Sequence, residues 1–147
     1  MKHLLIILSL LLLSFTIISC SKSSDDGSKS TDNTLYVSVG ESGTILTSSD
    51  GTSWDNTSDT TNFFWGVTYA NSILVAGTDS GTILTSPDGT TWTSRTSGTG
   101  ISILGVQYVN STFVAVGRGG LIITSADGTT WTSRNTNTST DLYDVTY

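Results

Sequence analysis

Short segments in which apolar and polar residues alternate recur along residues 35–147, and polar turn-forming residues separate them. Alternation with a period of two puts the apolar side chains on one face of an extended chain, so each segment is predicted to form a β-strand. The strands fall into four classes, named A to D in chain order. Class A comprises 65–69, 104–108 and 143–147; class B 35–39, 73–76 and 112–116; class C 44–47, 82–85 and 121–124; class D follows C and carries a Trp.

The pattern Ser-x-Asp-Gly-Thr-x-Trp occurs three times between strands C and D, at Ser48–Trp54, Ser86–Trp92 and Ser125–Trp131. Its Asp-Gly pair predicts a tight two-residue turn, because Gly adopts φ > 0 without strain and the Asp carboxylate accepts nearby backbone N–H groups. The Trp is predicted to bury a large ring beside the turn. We therefore assign a structural role to nine residues: Asp50, Gly51, Trp54, Asp88, Gly89, Trp92, Asp127, Gly128 and Trp131.

The chain also resembles itself over a longer stretch. Residues 65–95 shifted by 39 onto 104–134 are identical at 19 of 31 positions. Shared positions serve the scaffold, so specific function is expected where the copies differ. A period near 40 residues with several strands is typical of propeller arrays. The prediction is an all-β fold of four-stranded antiparallel blades, with twelve strands or about three blades' worth.

The three turns resemble the box of the Asp-box (BNR-type) β-propellers, the superfamily that holds sialidases and photosystem II assembly factors. The family's Ser-x-Asp-x-Gly-x-Thr-Trp is here one residue shorter between Asp and Trp. The resemblance covers residues 35–147 and divides them into a partial blade (35–54), two blades (65–95 and 104–134) and the first strand of a next or closing blade (143–147). It implies that the Asp boxes lie on one face, with the B–C and D–A loops on the other.

The number of blades leaves three explanations open, because propellers have about 4–8 blades. The chain is a truncated gene product cut in mid-repeat, or two chains form a homodimer that completes a six-bladed ring, or the chain stands alone as an open arc with exposed strand edges.

The N-terminus has the pattern of a secretory signal peptide: Lys2 and His3 precede a mainly apolar run of fifteen residues (4–18), too short to span a hydrocarbon core of about 30 Å. Ile17 to Cys20 resembles the bacterial lipobox, which implies cleavage after residue 19 and lipidation of Cys20. Residues 20–34 then form the lipidated Cys and a disordered tether. The expected location is the bacterial cell envelope, anchored by lipid to the outer membrane or cell surface. The alternative is an ordinary signal peptide with an incidental Cys.

The net charge and the residue types present argue against nucleic-acid binding, metal binding and catalysis. The net charge is −6 and no Lys follows residue 29, which argues against nucleic-acid binding. Once His3 and Cys20 are processed, no imidazole or thiol remains for catalysis or for a metal, so no cofactor and no metal are expected. A sialidase-like site implies three convergent arginines, but Arg95 and Arg134 occupy one repeat position. The chain is predicted not to be an enzyme.

The candidate ligand-binding residues lie in loops that differ between copies. The B–C turns carry Glu41, Asp79 and Arg118 at one aligned position, and Phe63 is either an exposed anchor or a core residue. Glu41 and Asp79 are suited to Ca²⁺ with loop carbonyls, with a solvated acidic face as the favoured alternative. The predicted function is a lipid-anchored, non-catalytic module that binds a protein or glycan through its loops. The alternative is a fragment of a larger Asp-box glycoside hydrolase of the sialidase type, or of an assembly factor.

Overall fold

A computed structural model describes residues 34–58 and 61–146, which form three antiparallel sheets. The all-β fold of repeated antiparallel blades predicted from the sequence is confirmed, and the arrangement is that of a partial β-propeller. Within each sheet, strands that follow one another in the chain are neighbours. The first sheet contains β1 (Tyr36–Val39), β2 (Ile45–Ser48) and β3 (Asp55–Asn56); the second β4 (Phe64–Ala70), β5 (Ile73–Thr78), β6 (Ile83–Ser86) and β7 (Thr93–Arg95); the third β8 (Ile103–Val109), β9 (Thr112–Gly117), β10 (Ile122–Ser125) and β11 (Thr132–Ser133).

The second and third sheets have the same register. Val67 pairs with Ala76 and Val106 pairs with Ala115, and in both sheets the ladder shifts by one residue near the start of the first strand. The first sheet has the equivalents of strands B, C and D, with no strand A beside β1 among the described residues. It is therefore open on the edge where the other two sheets begin.

The two-residue hairpins lie between strands A and B, and not between strands C and D where the Asp-Gly pairs predicted them. Asn71-Ser72 and Asn110-Ser111 join strands A and B, and all four residues have positive φ, which is the pattern of a type I′ turn. The Asp-Gly pairs instead lie within six-residue loops, and the last strand of each sheet begins at the residue directly after the Trp. The two predictions of a two-residue Asp-Gly hairpin and of a Trp inside strand D are thus wrong.

The twelfth strand is also absent from the described residues. Residues 141–146 have no strand, and Tyr147 lies outside the described part. A strand requires a hydrogen-bonded neighbour, and none of the strands in the described residues pairs with this segment. The segment is nevertheless held in place, because the Leu142 N–H donates to the Gly117 carbonyl at 3.0 Å.

The core is divided into two apolar layers, each between neighbouring sheets. One layer joins Ile45 of the first sheet to Phe64 and Leu84 of the second. The other joins Val75 and Ile83 of the second sheet to residues of the third: Ile103, Val106, Phe113, Ala115 and Ile123. All of these residues are at most 5% exposed. The interfaces between sheets, rather than the faces of a single sheet, therefore supply the hydrophobic stabilisation.

Candidate binding rim

One edge of the arc carries the loops that differ between repeats, and we call it the loop rim. It consists of the B–C turns (Glu41–Gly43, 79–82 and Arg118–Gly120) and the described parts of the D–A loops (57–58, 61–62, 96–102 and 134–141). The two kinds of loop are hydrogen-bonded to each other: Ser97 Oγ donates to the Gly81 carbonyl at 2.5 Å, and Thr136 Oγ1 to the Gly120 carbonyl at 2.8 Å. The backbone of the rim is therefore fixed by its own contacts.

Three of the candidate ligand-binding residues lie at equivalent points of this rim. Glu41, Asp79 and Arg118 each follow strand B of their sheet, and all three are exposed. Neighbouring loops hold their backbones: the Asp79 N–H donates to the Phe63 carbonyl at 3.0 Å and the Arg118 N–H to the Ser102 carbonyl at 3.1 Å. The rim thus presents two carboxylates and one guanidinium on a rigid backbone, one per sheet.

The residue before strand A ties each sheet to the turn of the preceding sheet. Ser102 Oγ donates to the Asp79 carbonyl at 2.7 Å, and Asp141 Oδ1 accepts the Gly119 N–H at 2.9 Å. Position 63 is their equivalent in the second sheet. Polar side chains at this position therefore link successive B–C turns along the rim.

An aromatic pair lies next to the rim at the start of the second sheet. Phe63 is half-buried and packs against Trp65, with ring centroids 5.0 Å apart. Trp65 is 41% exposed, whereas Leu104 at the same position of the third sheet is only 6% exposed. Trp65 is therefore the more accessible anchor. Sequence reasoning missed it, although the Trp-to-Leu difference between the repeats was the available signal.

The arginines do not converge on one site. Arg95 Nε donates to Thr85 Oγ1 at 2.9 Å, and Arg134 Nε donates to Thr124 Oγ1 at 2.8 Å. Each guanidinium thus binds to a neighbouring strand of its own sheet, in the same manner. A shallow depression beside Arg95 is lined by loop residues 96–100 and Gly81, so it belongs to a single sheet.

The Asp-Gly turns lie at the opposite edge, and their serine and aspartate side chains make the same hydrogen bonds in all three sheets. In the second sheet, Ser86 Oγ accepts the Gly89 N–H at 2.8 Å, and Asp88 Oδ1 accepts the N–H groups of Thr90 and Thr91, both at 2.8 Å. The amides of Thr91 and Thr90 hold the pKa of Asp88 well below its usual range. The pKa values of Asp50 and Asp127 are lowered in the same way, first by the amides of Ser53 and Thr130.

Two of these turns are inserted between sheets. Gly89 of the second sheet lies against Val37 and Leu35 of the first, and Gly128 of the third lies against Val75 of the second. Trp92 and Trp131 are half-buried, and each indole Nε1–H donates to the glycine carbonyl of its own turn at 3.1 Å. Trp54 has no preceding sheet in the described part and is 39% exposed.

The remaining assignments concern residues outside the described part. The signal peptide (1–19), the lipidation site Cys20 and the tether up to Asn33 all lie there.

Within residues 34–58 and 61–146, no three His, Cys, Asp or Glu side chains are grouped so that they would hold a metal ion. The same residues contain no helix with the length and apolar character that crossing a bilayer requires.

Comparison with known proteins identifies a fold. No protein-family model matches the chain, and no curated protein matches it. Among solved structures, the chain is similar to YCF48 bound to D1 peptide, a photosystem II assembly factor with a β-propeller fold, with a TM-score of 0.62 and 17% identity. The match covers 74% of this chain and 38% of that one. The chain therefore spans well under half the length of this neighbour.

Proposed function

We propose that this protein is a lipid-anchored, non-catalytic module of the bacterial cell envelope that binds a protein segment on its loop rim. The observation that carries the proposal is the contrast between the two edges. The Asp-Gly edge has the same serine and aspartate hydrogen bonds in every sheet, while the loop rim varies its exposed side chains on a backbone that is also held by hydrogen bonds. Variable side chains on a rigid scaffold are typical of recognition surfaces.

A protein ligand is favoured over a glycan because the structural neighbour YCF48 is in complex with a peptide. The rim suits a peptide chemically. Glu41, Asp79 and Arg118 offer charges of both signs for side chains and termini, and the exposed Trp65 offers a ring for an apolar or cationic side chain. The resemblance to the Asp-box propellers agrees with a loop-borne site.

A hydrolytic role lacks the required pair of carboxyl groups. Glycoside hydrolysis requires an acid whose pKa is raised and a second carboxylate about 5–10 Å away. The three turn aspartates have lowered pKa values and spend their oxygens on backbone amides. Glu41 and Asp79 lie at equivalent points of different sheets rather than facing each other across a cleft.

Selection of a displayed random-peptide library on the purified full chain tests the binding proposal, with a glycan array screened in parallel. We expect enriched peptides whose affinity falls at least tenfold, about 1.4 kcal/mol, in an E41A/D79A/R118A variant. A variant of the opposite edge, S53A/T91A/T130A, is the matched control and should bind as the wild type does. Enrichment of glycans alone would refute a protein ligand. Release of sugar from a fluorogenic glycoside that E41Q or D79N abolishes would refute a non-catalytic role.

The anchor is tested separately by the Cys20→Ala variant. Cells fed an alkyne-tagged fatty acid should label the wild-type protein in the membrane fraction, and C20A should be unlabelled and released from the membrane. Double anchoring by acyl chains is required for stable attachment, so the release should be nearly complete. Unchanged membrane recovery of C20A would contradict the proposed anchor and leave the rim proposal unaffected.

A further inference from the structure

The outward face of the first sheet is built from positions that are buried in the second sheet. Leu74 and Leu84 of the second sheet, which face the first, are 5% and 4% exposed. Their counterparts 38 residues earlier face no sheet in the described part. The counterpart of Leu84 is only half-buried, and Trp54, the counterpart of the half-buried Trp92, is 39% exposed. The outward residues of the first sheet are Tyr36, Leu46 and Trp54.

The outward face of the third sheet is likewise built from positions that are buried in the second sheet. Val75 and Ile83 of the second sheet face the third and are both 0% exposed. Their counterparts 39 residues later, Val114 and Ile122, are only half-buried. Each end of the arc therefore presents one half of the interface that is repeated twice inside the arc, and the two halves are complementary.

The first sheet also has an unpaired strand edge. In the part of the chain that the structure describes, β1 pairs only with β2, whereas β5 and β9 each lie between two strands. β1 has the sequence Tyr-Val-Ser-Val, with no charge and no Pro. Natural proteins place charged residues or Pro on free strand edges to prevent unwanted pairing. Because β1 has neither, its edge is expected to be paired with another strand.

A segment suited to this edge is present at the other end of the chain. Leu142 N–H donates to the Gly117 carbonyl, just as Phe64 N–H donates to the Gly40 carbonyl at the interface between the first and second sheets. A Cβ atom on Gly105 would lie 2.6 Å from the Tyr143 carbonyl oxygen, so residues 143–144 cover β8 as β8 covers Gly66. The segment thus occupies the place of a strand A without a strand B beside it, and Tyr143 is 69% exposed.

We propose that two copies of this chain join head to tail into a closed ring of six sheets, in which residues 142–146 of each copy pair with β1 of the other. The register follows from the repeats. Val67 pairs with Ala76 and Val106 with Ala115, so Val145 of one copy lies opposite Ser38 of the second copy.

A second copy is the occupant that the observations specify, since it covers both end faces and both unpaired backbones at once. A head-to-tail contact closes into a ring when its rotation allows, and otherwise grows into a filament. Two three-sheet arcs give six sheets, within the range of about 4–8 that propellers adopt, whereas three arcs would exceed it. This inference is independent of the function proposed above.

Disulfide trapping in the full chain tests the register. A chain with S38C and V145C, expressed in the oxidising cell envelope, should give a covalent dimer on non-reducing gels, because directly opposed residues lie within disulfide reach. The control is S38C with T146C, one residue out of register, whose side chains point to opposite faces. The wild-type chain, with Cys20 as its single cysteine, reports any cross-link through that residue. Equal cross-linking in the two variants, or none in the first, would overturn the proposal.

The solution mass of the full chain gives a second, independent readout. We expect a two-chain mass for the wild type and a one-chain mass for V145P, since Pro removes a ladder hydrogen bond. Because residue 145 lies outside the three sheets, the circular dichroism of V145P should match that of the wild type. A wild-type mass of one chain over a wide concentration range, or a mass that grows without limit, would overturn the closed ring.

Discussion

The smallest unit of this molecule is the Asp-Gly turn. Its serine and aspartate oxygens accept the backbone N–H groups that the irregular loop would otherwise leave unpaired. Sequence alone identified the residues, because the same triplet of Ser, Asp and Gly recurs. It did not predict the loop length, because an Asp-Gly pair is compatible with a two-residue hairpin as well as with a longer loop in which side chains replace the strand ladder.

The lowered pKa values of the three turn aspartates predict a pH dependence of stability. A carboxyl whose pKa is lower in the folded than in the unfolded state stabilises the fold at pH values above the unfolded pKa, about 3.9. That contribution is lost as the pH falls from about 4 towards the folded pKa. Urea unfolding midpoints should therefore be level near neutral pH and fall below about pH 4.

A triple variant D50N/D88N/D127N is the control for this dependence. It should be less stable than the wild type at neutral pH and lose much less stability on acidification. An equally steep acid loss in the triple variant would assign the pH dependence to other groups.

Glycine at the turn has a packing role besides its positive φ. Gly89 has φ of 77°, and an added Cβ would lie 3.1 Å from Leu35 and 3.2 Å from Val37. Gly98 has φ of 78° and open space around the same position. G98A should therefore cost about 1–2 kcal/mol of unfolding free energy from backbone strain, and G89A about 1–3 kcal/mol more from overpacking. Equal losses in a denaturant titration would show that the turn does not insert between sheets.

At the level of the strand, the A–B hairpins are strained at their second residue. Ser72 and Ser111 have φ near 60°, a region that favours glycine. S111G should therefore stabilise the protein by about 1 kcal/mol, because the type I′ turn prefers Asn-Gly. Ser94→Gly, in the exposed strand β7, is the matched control and should destabilise by about 0.5–1 kcal/mol. A loss of thermal stability in S111G would contradict the turn assignment.

Strand contacts between sheets also depend on small residues. A Cβ atom on Gly77 would collide with the Ile103 side chain of the next sheet, whereas one on Gly100 would meet no atom within 4 Å. G77A is expected to lower the unfolding free energy by about 1–3 kcal/mol. G100A should leave it nearly unchanged. A denaturant midpoint for G77A that matches the one for G100A would show that the two sheets are farther apart than described.

A strand was predictable from the sequence where the residues that it pairs with are close in the chain, and was not predictable where its structure depends on a different sheet. The alternation of apolar and polar residues located strands A and B of the second and third sheets within two residues, because this signal acts inside one hairpin. The absence of a strand over residues 143–146 is a non-local effect, because Val145 has the pattern of a strand but pairs with no strand of the described residues. The exposure of Trp54 has the same origin, since its turn resembles that of Trp92 but no sheet precedes it in the part of the chain that the structure describes.

At the scale of the whole molecule, the arc has two complementary ends. Asp144 offers a test of the proposed two-chain ring. Asp144 stands where the other repeats have Gly66 and Gly105, at the point where neighbouring A strands lie closest together. In the ring its carboxylate would enter this crowded inner layer at a desolvation cost. Asp144→Gly should therefore tighten the two-chain assembly at least severalfold in sedimentation equilibrium. Weaker association of D144G than of the wild type would contradict the placement of residues 142–146.

The stacking of the sheets depends on the second and third Asp-Gly turns, each of which packs against the sheet before it. Nuclear Overhauser effects on the full chain measure this contact most directly. We expect cross-peaks from the Gly89 α-protons to the Val37 methyls and from the Gly128 α-protons to the Val75 methyls, since these groups are in contact. If both cross-peaks are absent while those within each turn are present, the sheets are not stacked through their turns and the account is wrong.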